Sequence, residues 1–215
     1  NKLTKQDIVL DALHTGDVAL ISDAGTPGVS DPGYELVQAA LERGMPVVPV
    51  PGANAVITAL VGSGLPTDAF VYVGFLPKKD KARRELLQSL VEETRTLIAY
   101  ENPYRVGDTL RDVADVFGDE RPVCVAREIS KMFEEFYRDT AASAAERYLN
   151  EPPKGEVTLV IGGATHDDLT WDEARVRDAL QGRLDAGEKL TLAAKSVAKE
   201  SGWHKRDVYA LAHER

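Results

Sequence analysis

The sequence contains a single cysteine, Cys124, so no disulfide can form within the chain. This cysteine lies in the apolar run 123–126, which predicts a buried thiol on a strand. No stretch approaches the roughly 20 consecutive apolar residues that a membrane helix requires. The first residues also lack the charged-then-apolar order of a signal peptide. These absences predict a soluble, cytoplasmic protein.

The usual signatures of metal, nucleotide and nucleophile sites are missing as well. The sequence has neither a G-x-G-x-x-G turn after a strand nor a G-x-x-x-x-G-K-[ST] loop, so dinucleotide and nucleoside-triphosphate binding have no support. No Ser-His-Asp or Cys-His arrangement can be argued from spacing. We expect no metal, because the histidines are far apart in the chain; they are His14, His166, His204 and His213.

Positive charge is also scarce, since 26 Lys and Arg face 35 Asp and Glu, which leaves a net charge of −9. This balance argues against a protein that coats nucleic acid, because phosphate contacts need clustered cations. One local cluster exists within residues 78–84, and two interpretations stay open for it. The run alone favours a solvated helix start, whereas RNA contact is the functional alternative. Its members are Lys78, Lys79, Lys81, Arg83 and Arg84.

The first 66 residues alternate helical and short apolar segments, which predicts β-α-β units and a parallel sheet. We expect a helix over residues 4–13 with Thr4 as its N-cap. Buried strands are expected at 18–21 and 47–50, each followed by a turn-rich loop and a helix, at 32–44 and 53–61. The Gly-, Ser- and Pro-containing segment 62–66 is the best domain boundary.

Residues 67–166 predict a second α/β domain with a mixed sheet. We expect strands at 69–75, 96–100, 123–126, 133–137 and 157–161, and helices at 80–93, 104–117 and 141–149. Residues 167–215 predict a small helical domain with helices at 171–186, 191–200 and 204–212. A capping bundle is at least as probable a role for it as RNA binding, although its surface is locally basic at Lys195, Lys199, Lys205 and Arg206.

Two loops lie where open parallel sheets bind ligands, beyond the carboxyl ends of strands. The first spans residues 23–27, where glycine and proline let the backbone approach a ligand closely. Asp23, the first residue after its strand, could accept hydrogen bonds from hydroxyl or ammonium groups. The second spans 51–55, whose backbone N–H groups start a helix. Ordinary turns remain the alternative for either loop, so the residues alone indicate only a small-molecule site between two α/β domains.

The segment 22–33, read as SDAGTPGVSDPG, resembles the hallmark of the tetrapyrrole-methylase superfamily, the class III S-adenosylmethionine-dependent methyltransferases. The motif versions are most similar to the branch that methylates a cytidine ribose 2′-hydroxyl in 16S ribosomal RNA. Further matching segments follow in order at 50–55, 74–77, 100–105, 126–131, 154–156 and 205–211.

The resemblance implies a cleft between two α/β domains that binds S-adenosylmethionine without metal. It also implies a homodimer that acts on 16S rRNA in the small ribosomal subunit. Carried over residue by residue, the cofactor-binding positions are Asp23, Ala24, Gly25, Pro51, Gly52, Asn54, Ala55, Tyr100 and Glu101. Other matched motif positions have no individual role; they include Phe75, Pro77, Arg105 and Glu128.

Methyl transfer to a hydroxyl needs alignment of the reacting atoms and help with a proton. Glu101 and Asp23 are candidate general bases, although Asp23 is better explained as a cofactor ligand. Lys131 or Arg127 could stabilise the developing oxyanion or hold a phosphate. The predicted catalytic set is therefore Glu101, Lys131 and Arg127.

Members of the family begin with a strand and a Thr-Pro-Ile-Gly-Asn loop that are not found in this sequence. We therefore expect a sheet edge that lacks its cover, and a cleft without one bordering loop. Two alternatives to the RNA methyltransferase stay open. One is a methylase of tetrapyrroles or of a protein residue on the same fold, and the other is a ribosome-binding module without catalysis.

Overall fold

The computed structural model describes residues 5–165 and 171–212, which form a mixed α/β fold. Its centre is a five-stranded sheet with the strand order β1-β2-β5-β3-β4. β1 is parallel to β2, while β5 is antiparallel to both β2 and β3. Consequently β1, β2 and β3 all end at one edge of the sheet, where β5 begins. The strands are β1 (Phe70–Phe75), β2 (Thr96–Glu101), β3 (Pro122–Arg127), β4 (Glu135–Thr140) and β5 (Val157–Ile161).

The sheet is covered on both faces, which explains why its central strands are almost continuously apolar. One face carries Leu97 and Leu159 and packs against helices α4, α5 and α6. The other face carries Ile98 and Val160 and packs against α3. Cys124 lies on this second face with a fully buried side chain, so the predicted buried strand thiol is confirmed. The helices are α3 (Ala55–Ser63), α4 (Asp80–Ser89), α5 (Val106–Phe117) and α6 (Ala141–Asn150).

Three helices after the sheet pack around an apolar cluster of their own, as the helical pattern predicts. They are α7 (Glu173–Asp185), α8 (Leu190–Ser201) and α9 (Lys205–Leu211). Val176, Val197 and Val208 are fully buried between them. Gly202 ends α8 in the left-handed conformation, which glycine adopts without steric cost.

The two strands predicted near the start of the chain do not form. Residues 18–21 and 47–50 have no regular secondary structure, and Ile21, Val48 and Val50 are more than three-quarters exposed. An apolar run specifies only that burial would be favourable, whereas a strand also needs a hydrogen-bonded neighbour. Within residues 5–165 neither segment has one. Of the neighbouring helices, α1 (Lys5–Ala12) precedes the first segment and α2 (Tyr34–Glu42) lies between the two. They bury only a small cluster around Leu10 and Ala40.

Element boundaries differ from the expectations by a few residues elsewhere. The helix predicted over 80–93 ends at Ser89, and the one predicted over 104–117 begins with a short 3₁₀ turn, Pro103–Arg105. The strand predicted over 133–137 is β4. Thr4, the expected N-cap of the first helix, lies outside the described residues. No helix in the described part of the chain is long and apolar enough to cross a membrane. Nor do the same residues contain a His, Cys, Asp or Glu group able to hold a metal ion.

Candidate functional site

A cavity of about 450 Å³ opens at the sheet edge where β1 and β2 end and β5 begins. Five segments of the chain meet there. Four of them adjoin the end of a helix or strand, and the fifth, residues 24–31, is a loop without regular secondary structure. The lining residues fall within 24–31, 54–55, 75–78, 100–105 and 155–158. This placement agrees with the rule that α/β sheets bind ligands beyond the carboxyl ends of their strands.

The two glycine-rich loops are held together and to the sheet by hydrogen bonds. The Thr26 hydroxyl donates to the carbonyl oxygen of Ala53 at 3.1 Å, which joins the first loop to the second. The Ser30 hydroxyl lies 2.6 Å from the Tyr72 hydroxyl on β1. Asn54 caps α3 by accepting a hydrogen bond from the Val56 N–H at 2.9 Å. The segment 22–33, which contains the loop predicted at 23–27, is therefore positioned by contacts with residues 53 and 72, far away in the sequence.

Aromatic rings form the cavity wall at the ends of β1 and β2. The Tyr100 ring lies 5.4 Å from the Tyr72 ring in an edge-on arrangement and 5.3 Å from the Phe75 ring. Such pairs are favoured by the charge distribution of aromatic rings. Burial, followed by the neighbouring Tyr72, raises the pKa of Tyr100 to about 12. The Tyr100 phenol is therefore neutral at physiological pH.

Glu101 is buried at the base of the cavity, and both of its carboxylate oxygens are occupied. Oε1 accepts hydrogen bonds from the backbone N–H of Asn102 at 2.5 Å and from two nitrogens of Arg105, at 3.0 and 2.5 Å. Oε2 accepts a hydrogen bond from the Thr109 hydroxyl at 2.7 Å. A general base must reach the proton it takes with a free lone pair. These contacts therefore favour a positioning role for Glu101.

The other two predicted catalytic residues lie along the same sheet edge but do not line the cavity. Arg127 donates to the Glu135 carboxylate at 3.1 Å and to the Lys154 carbonyl at 3.2 Å. The Lys131 ammonium lies 3.0 Å from a Glu128 oxygen and 3.1 Å from a Glu156 oxygen. The Glu156 backbone N–H, followed by Lys131, lowers the pKa of Glu128 below its usual range.

Of the nine predicted cofactor-binding positions, six line the cavity and three do not. Those inside are Ala24, Gly25, Asn54, Ala55, Tyr100 and Glu101; those outside are Asp23, Pro51 and Gly52, which are exposed. Roles at all nine positions stay predictions.

Sequence reasoning did not assign a site role to residues 155–158 or to Asn102 and Pro103, which also line the cavity. The signal at residue 155 was its glycine. Gly155 has φ +90°, and a Cβ there would lie 2.3 Å from the Glu128 carboxyl group. The positive φ favours glycine here, and any other residue would also have to displace the Glu128 carboxyl group.

The basic cluster of residues 78–84 is divided by the fold. Arg83 is almost fully buried in an ion pair with Asp112, and Arg84 pairs with Asp112 and Asp115. The lysines and the half-exposed Arg84 remain at the surface, and the charge of Arg84 is paired, so the positive surface patch is smaller than the sequence indicates. Lys78 lies on the cavity wall. Neither it nor Lys79 forms an ion pair with any described residue.

Comparison with known proteins places these features in context. The family profile described as "Tetrapyrrole (Corrin/Porphyrin) Methylases" matches residues 3–145. The protein called ribosomal RNA small subunit methyltransferase I of Synechocystis sp. is 46% identical over 199 residues, which cover 92% of this chain and 71% of that protein. The protein of the same name from Halalkalibacterium halodurans is 40% identical, and the match covers 100% of this chain and 75% of that protein.

Among solved structures, uroporphyrin-III C-methyltransferase of Thermus thermophilus, complexed with S-adenosylhomocysteine, superposes with a TM-score of 0.53. The match covers 73% of this chain and 71% of that one at 17% sequence identity. At this identity the likeness establishes the fold alone, and it agrees with the α/β class expected from the sequence.

Proposed function

The chain belongs to the tetrapyrrole (corrin/porphyrin) methylase family, and we propose that it methylates the ribose 2′-hydroxyl of a cytidine in 16S ribosomal RNA. It is an S-adenosylmethionine-dependent methyltransferase. The single observation that carries the substrate is the strong identity, over nearly the whole chain, to relatives named for the small-subunit ribosomal RNA. The cavity at the carboxyl ends of β1 and β2 is the place for the reaction.

The cavity fits the cofactor in size and in chemistry. Its volume of about 450 Å³ lies within the range of about 300–1,000 Å³ that small-molecule sites occupy. Backbone from the two glycine-rich loops and the ring of Tyr100 form its walls. We assign the cofactor contacts to Ala24, Gly25, Asn54 and Ala55 from these loops, with Tyr100 opposite. S-Adenosylmethionine supplies an activated methyl group when it is bound.

The protein's own contribution to the reaction is mainly alignment. The hydrogen bonds of Thr26 and Ser30 hold the first loop in one position, which reduces the entropy lost on reaching a reactive geometry. Asp23, Pro51 and Gly52 flank that wall and remain our proposed outer cofactor contacts. Arg127 and Lys131, along the same edge, are proposed to face the phosphates of the RNA. Glu101 is proposed to act on the reaction by holding Arg105.

We further propose a cytoplasmic homodimer with units at residues 1–66, 67–166 and 167–215. The cytoplasm is where a bacterial ribosomal substrate is found. Separate apolar clusters in the sheet region and in the helical region support the later boundary. The earlier boundary falls just after α3, which packs on the sheet of the second unit.

Methyl transfer to isolated small subunits tests the function. Subunits from cells that lack this enzyme are incubated with the protein and S-adenosylmethionine labelled in its methyl group. Nuclease digestion is expected to release labelled 2′-O-methylcytidine. Subunits from cells that contain the enzyme are the control, because their target is already methylated. Label on a base, on a protein or on added uroporphyrinogen III instead of the ribose would contradict the proposal.

A pair of variants ties the activity to the cavity. Ala24→Trp fills the cavity from the first loop, whereas Ala186→Trp adds the same side chain at the exposed end of α7. We expect the first to abolish transfer and the second to leave it unchanged. Equal activity in both would mean that the reaction takes place elsewhere.

A further inference from the structure

Arg105 presents hydrogen-bond donors to the cavity that no described residue uses. Its side chain is 23% exposed and lines the cavity wall. A guanidinium group carries five N–H donors and no acceptor. Two of its nitrogens, Nε and Nη2, donate to Oε1 of Glu101. Nη1 has no hydrogen bond within residues 5–165 and 171–212, so at least its two N–H groups are available to a ligand.

The guanidinium is held in place by a buried anchor. The Glu101 side chain is fully buried, and its second oxygen accepts from the Thr109 hydroxyl at 2.7 Å. Asn102 fixes the turn that carries Arg105, since its side chain accepts from the Tyr104 N–H and its carbonyl from the Arg105 N–H. A cation fixed in this way loses little side-chain entropy when a ligand binds.

An anionic ligand would meet positive charge in the cavity at Arg105 and Lys78. Two of the three carboxylates that line the cavity are already paired, since Glu101 is neutralised by Arg105 and the Glu156 carboxylate lies 3.1 Å from the Lys131 ammonium. The third is Asp31 on the first loop, which forms no ion pair with a described residue. Lys78 lies on the same cavity wall and adds a positive charge that is paired with no described carboxylate. Arginine donors are well suited to planar or tetrahedral oxyanions.

We propose that Arg105, held by Glu101 and Thr109, forms an anion-binding subsite of the cavity that takes a carboxylate or phosphate oxygen. The inference rests on the proposed function, which brings two such anions to the cavity. One is the amino-acid carboxylate of the cofactor, and the other is an RNA phosphate beside the target ribose. Both have the same chemistry, so the experiment has to separate them.

The test uses the variant Glu101→Gln/Arg105→Gln, which removes both charges together and leaves no unpaired buried ion. Calorimetry measures the binding of S-adenosylhomocysteine and of its decarboxylated analogue, which keeps the ammonium group. If Arg105 takes the cofactor carboxylate, the wild-type protein prefers the carboxylated ligand by about tenfold and the variant loses that preference. If it takes an RNA phosphate, both affinities are unchanged, and KM for small subunits rises several-fold without a matching fall in kcat.

Two single variants extend the test to the anchor and keep it valid should the double variant not fold. Arg105→Lys keeps the charge but not the planar donors. We expect it to lose at least half of the binding free energy that the double variant loses for the same ligand. Thr109→Val removes the donor to Oε2 and is expected to weaken the same ligand two- to fivefold. Arg111→Gln removes an exposed cation from the same helix, where it pairs with Asp108, and serves as the control.

The inference is overturned if the folded variants bind S-adenosylhomocysteine and small subunits as tightly as the Arg111→Gln control does. Failure of the wild-type protein to bind either one would instead overturn the proposed function, and the subsite with it. The two failures are therefore distinguishable.

Discussion

Arg83 and Asp112 form an ion pair that is almost completely excluded from solvent, with the arginine Nε donating to the Asp112 Oδ2 at 2.7 Å. The pair joins α4 to α5, and Arg84 donates to the other oxygen of Asp112 at the same distance. A buried charge is costly unless it is paired and hydrogen-bonded. One residue of an apparently basic surface patch, Arg83, therefore belongs to the interior of the fold, whereas Arg84 stays half exposed.

Asp112→Asn is expected to lower the free energy of unfolding by about 3–5 kcal/mol, because it leaves the buried Arg83 without its counter-ion. Urea denaturation measures the loss. Asp115→Asn is the matched control, since Asp115 also pairs with Arg84 but is half exposed. That change should cost less than about 1 kcal/mol. Equal losses for the two variants would show that the buried ion pair contributes no more to the free energy of unfolding than the exposed one.

Gly155→Ala is expected to destabilise the protein by about 1–3 kcal/mol, since the backbone is left-handed and a Cβ would overlap the Glu128 carboxyl group. The same change at Gly182, inside α7 with open space around it, should stabilise the protein by about 0.5–1 kcal/mol. Thermal unfolding of both variants compares them. Opposite signs are the expected result, and a neutral Gly155→Ala would contradict the backbone strain expected at this positive φ.

Tyr72→Phe removes the hydroxyl that contacts Ser30 at 2.6 Å and thereby loosens the first cavity loop. One hydrogen bond contributes about 0.5–1.5 kcal/mol, so we expect S-adenosylhomocysteine to bind roughly two- to tenfold more weakly. Calorimetry gives the affinity. Tyr34→Phe makes the same change at an exposed tyrosine on α2 and should have no effect. Unchanged affinity in Tyr72→Phe would mean that the loop does not depend on this contact.

Lys78→Ala/Lys79→Ala is expected to weaken binding to small subunits. It should also reduce the slope of the logarithm of the binding constant against the logarithm of the salt concentration, by about one unit for each lost phosphate contact. Binding measured between low and physiological salt gives the slope. Arg95→Gln is the control, because Arg95 lies at the opposite sheet edge and pairs with Glu93. If the wild-type protein, the double lysine variant and Arg95→Gln all show the same slope, these lysines make no contact with RNA phosphates.

Cys124 is expected to be unreactive in the folded protein, because burial raises the pKa of its thiol to about 11 from an ordinary value of 9.0. The thiolate is the reactive form, so a thiol reagent at pH 8 should label the protein only in denaturant. Because the pKa of the Cys124 thiol is higher in the folded than in the unfolded protein, the buried thiol's contribution to the free energy of unfolding is complete below pH 9. It is lost as the pH rises towards 11. Cys124→Ala should lack this alkaline loss, and rapid labelling of the native protein would contradict the burial.

Most strands of the sheet could be predicted because they are short apolar runs bounded by turn residues, and covered sheets require such runs. The edge strand β4 is largely polar, and it begins and ends two to three residues later than predicted. The same reasoning was wrong for residues 18–21 and 47–50. Those runs are equally apolar, but pairing depends on a neighbouring strand, which a local pattern does not contain. The residues that become exposed as a result include Ile21 and Val50.

The candidate site could be predicted in part, since its glycine-rich loops follow apolar runs and match known motifs. The motif at 100–105 identified Glu101 and Arg105 as notable residues without indicating that they contact each other. The role expected for Glu101 depended on a free carboxylate, and only the tertiary structure shows that four donors surround it.

The sequence by itself determined the α/β class, most helix and strand positions, the family and the loops that border the cavity. The class and the element positions follow from residue type, periodicity and spacing along the chain, whereas the family was identified by the resemblance of several motifs. Only the tertiary structure decided that Arg83 points inward to Asp112 while Arg105 faces the cavity. Both are arginines at helix starts, and their directions are set by which carboxylates the packing of α4, α5 and β2 brings within reach.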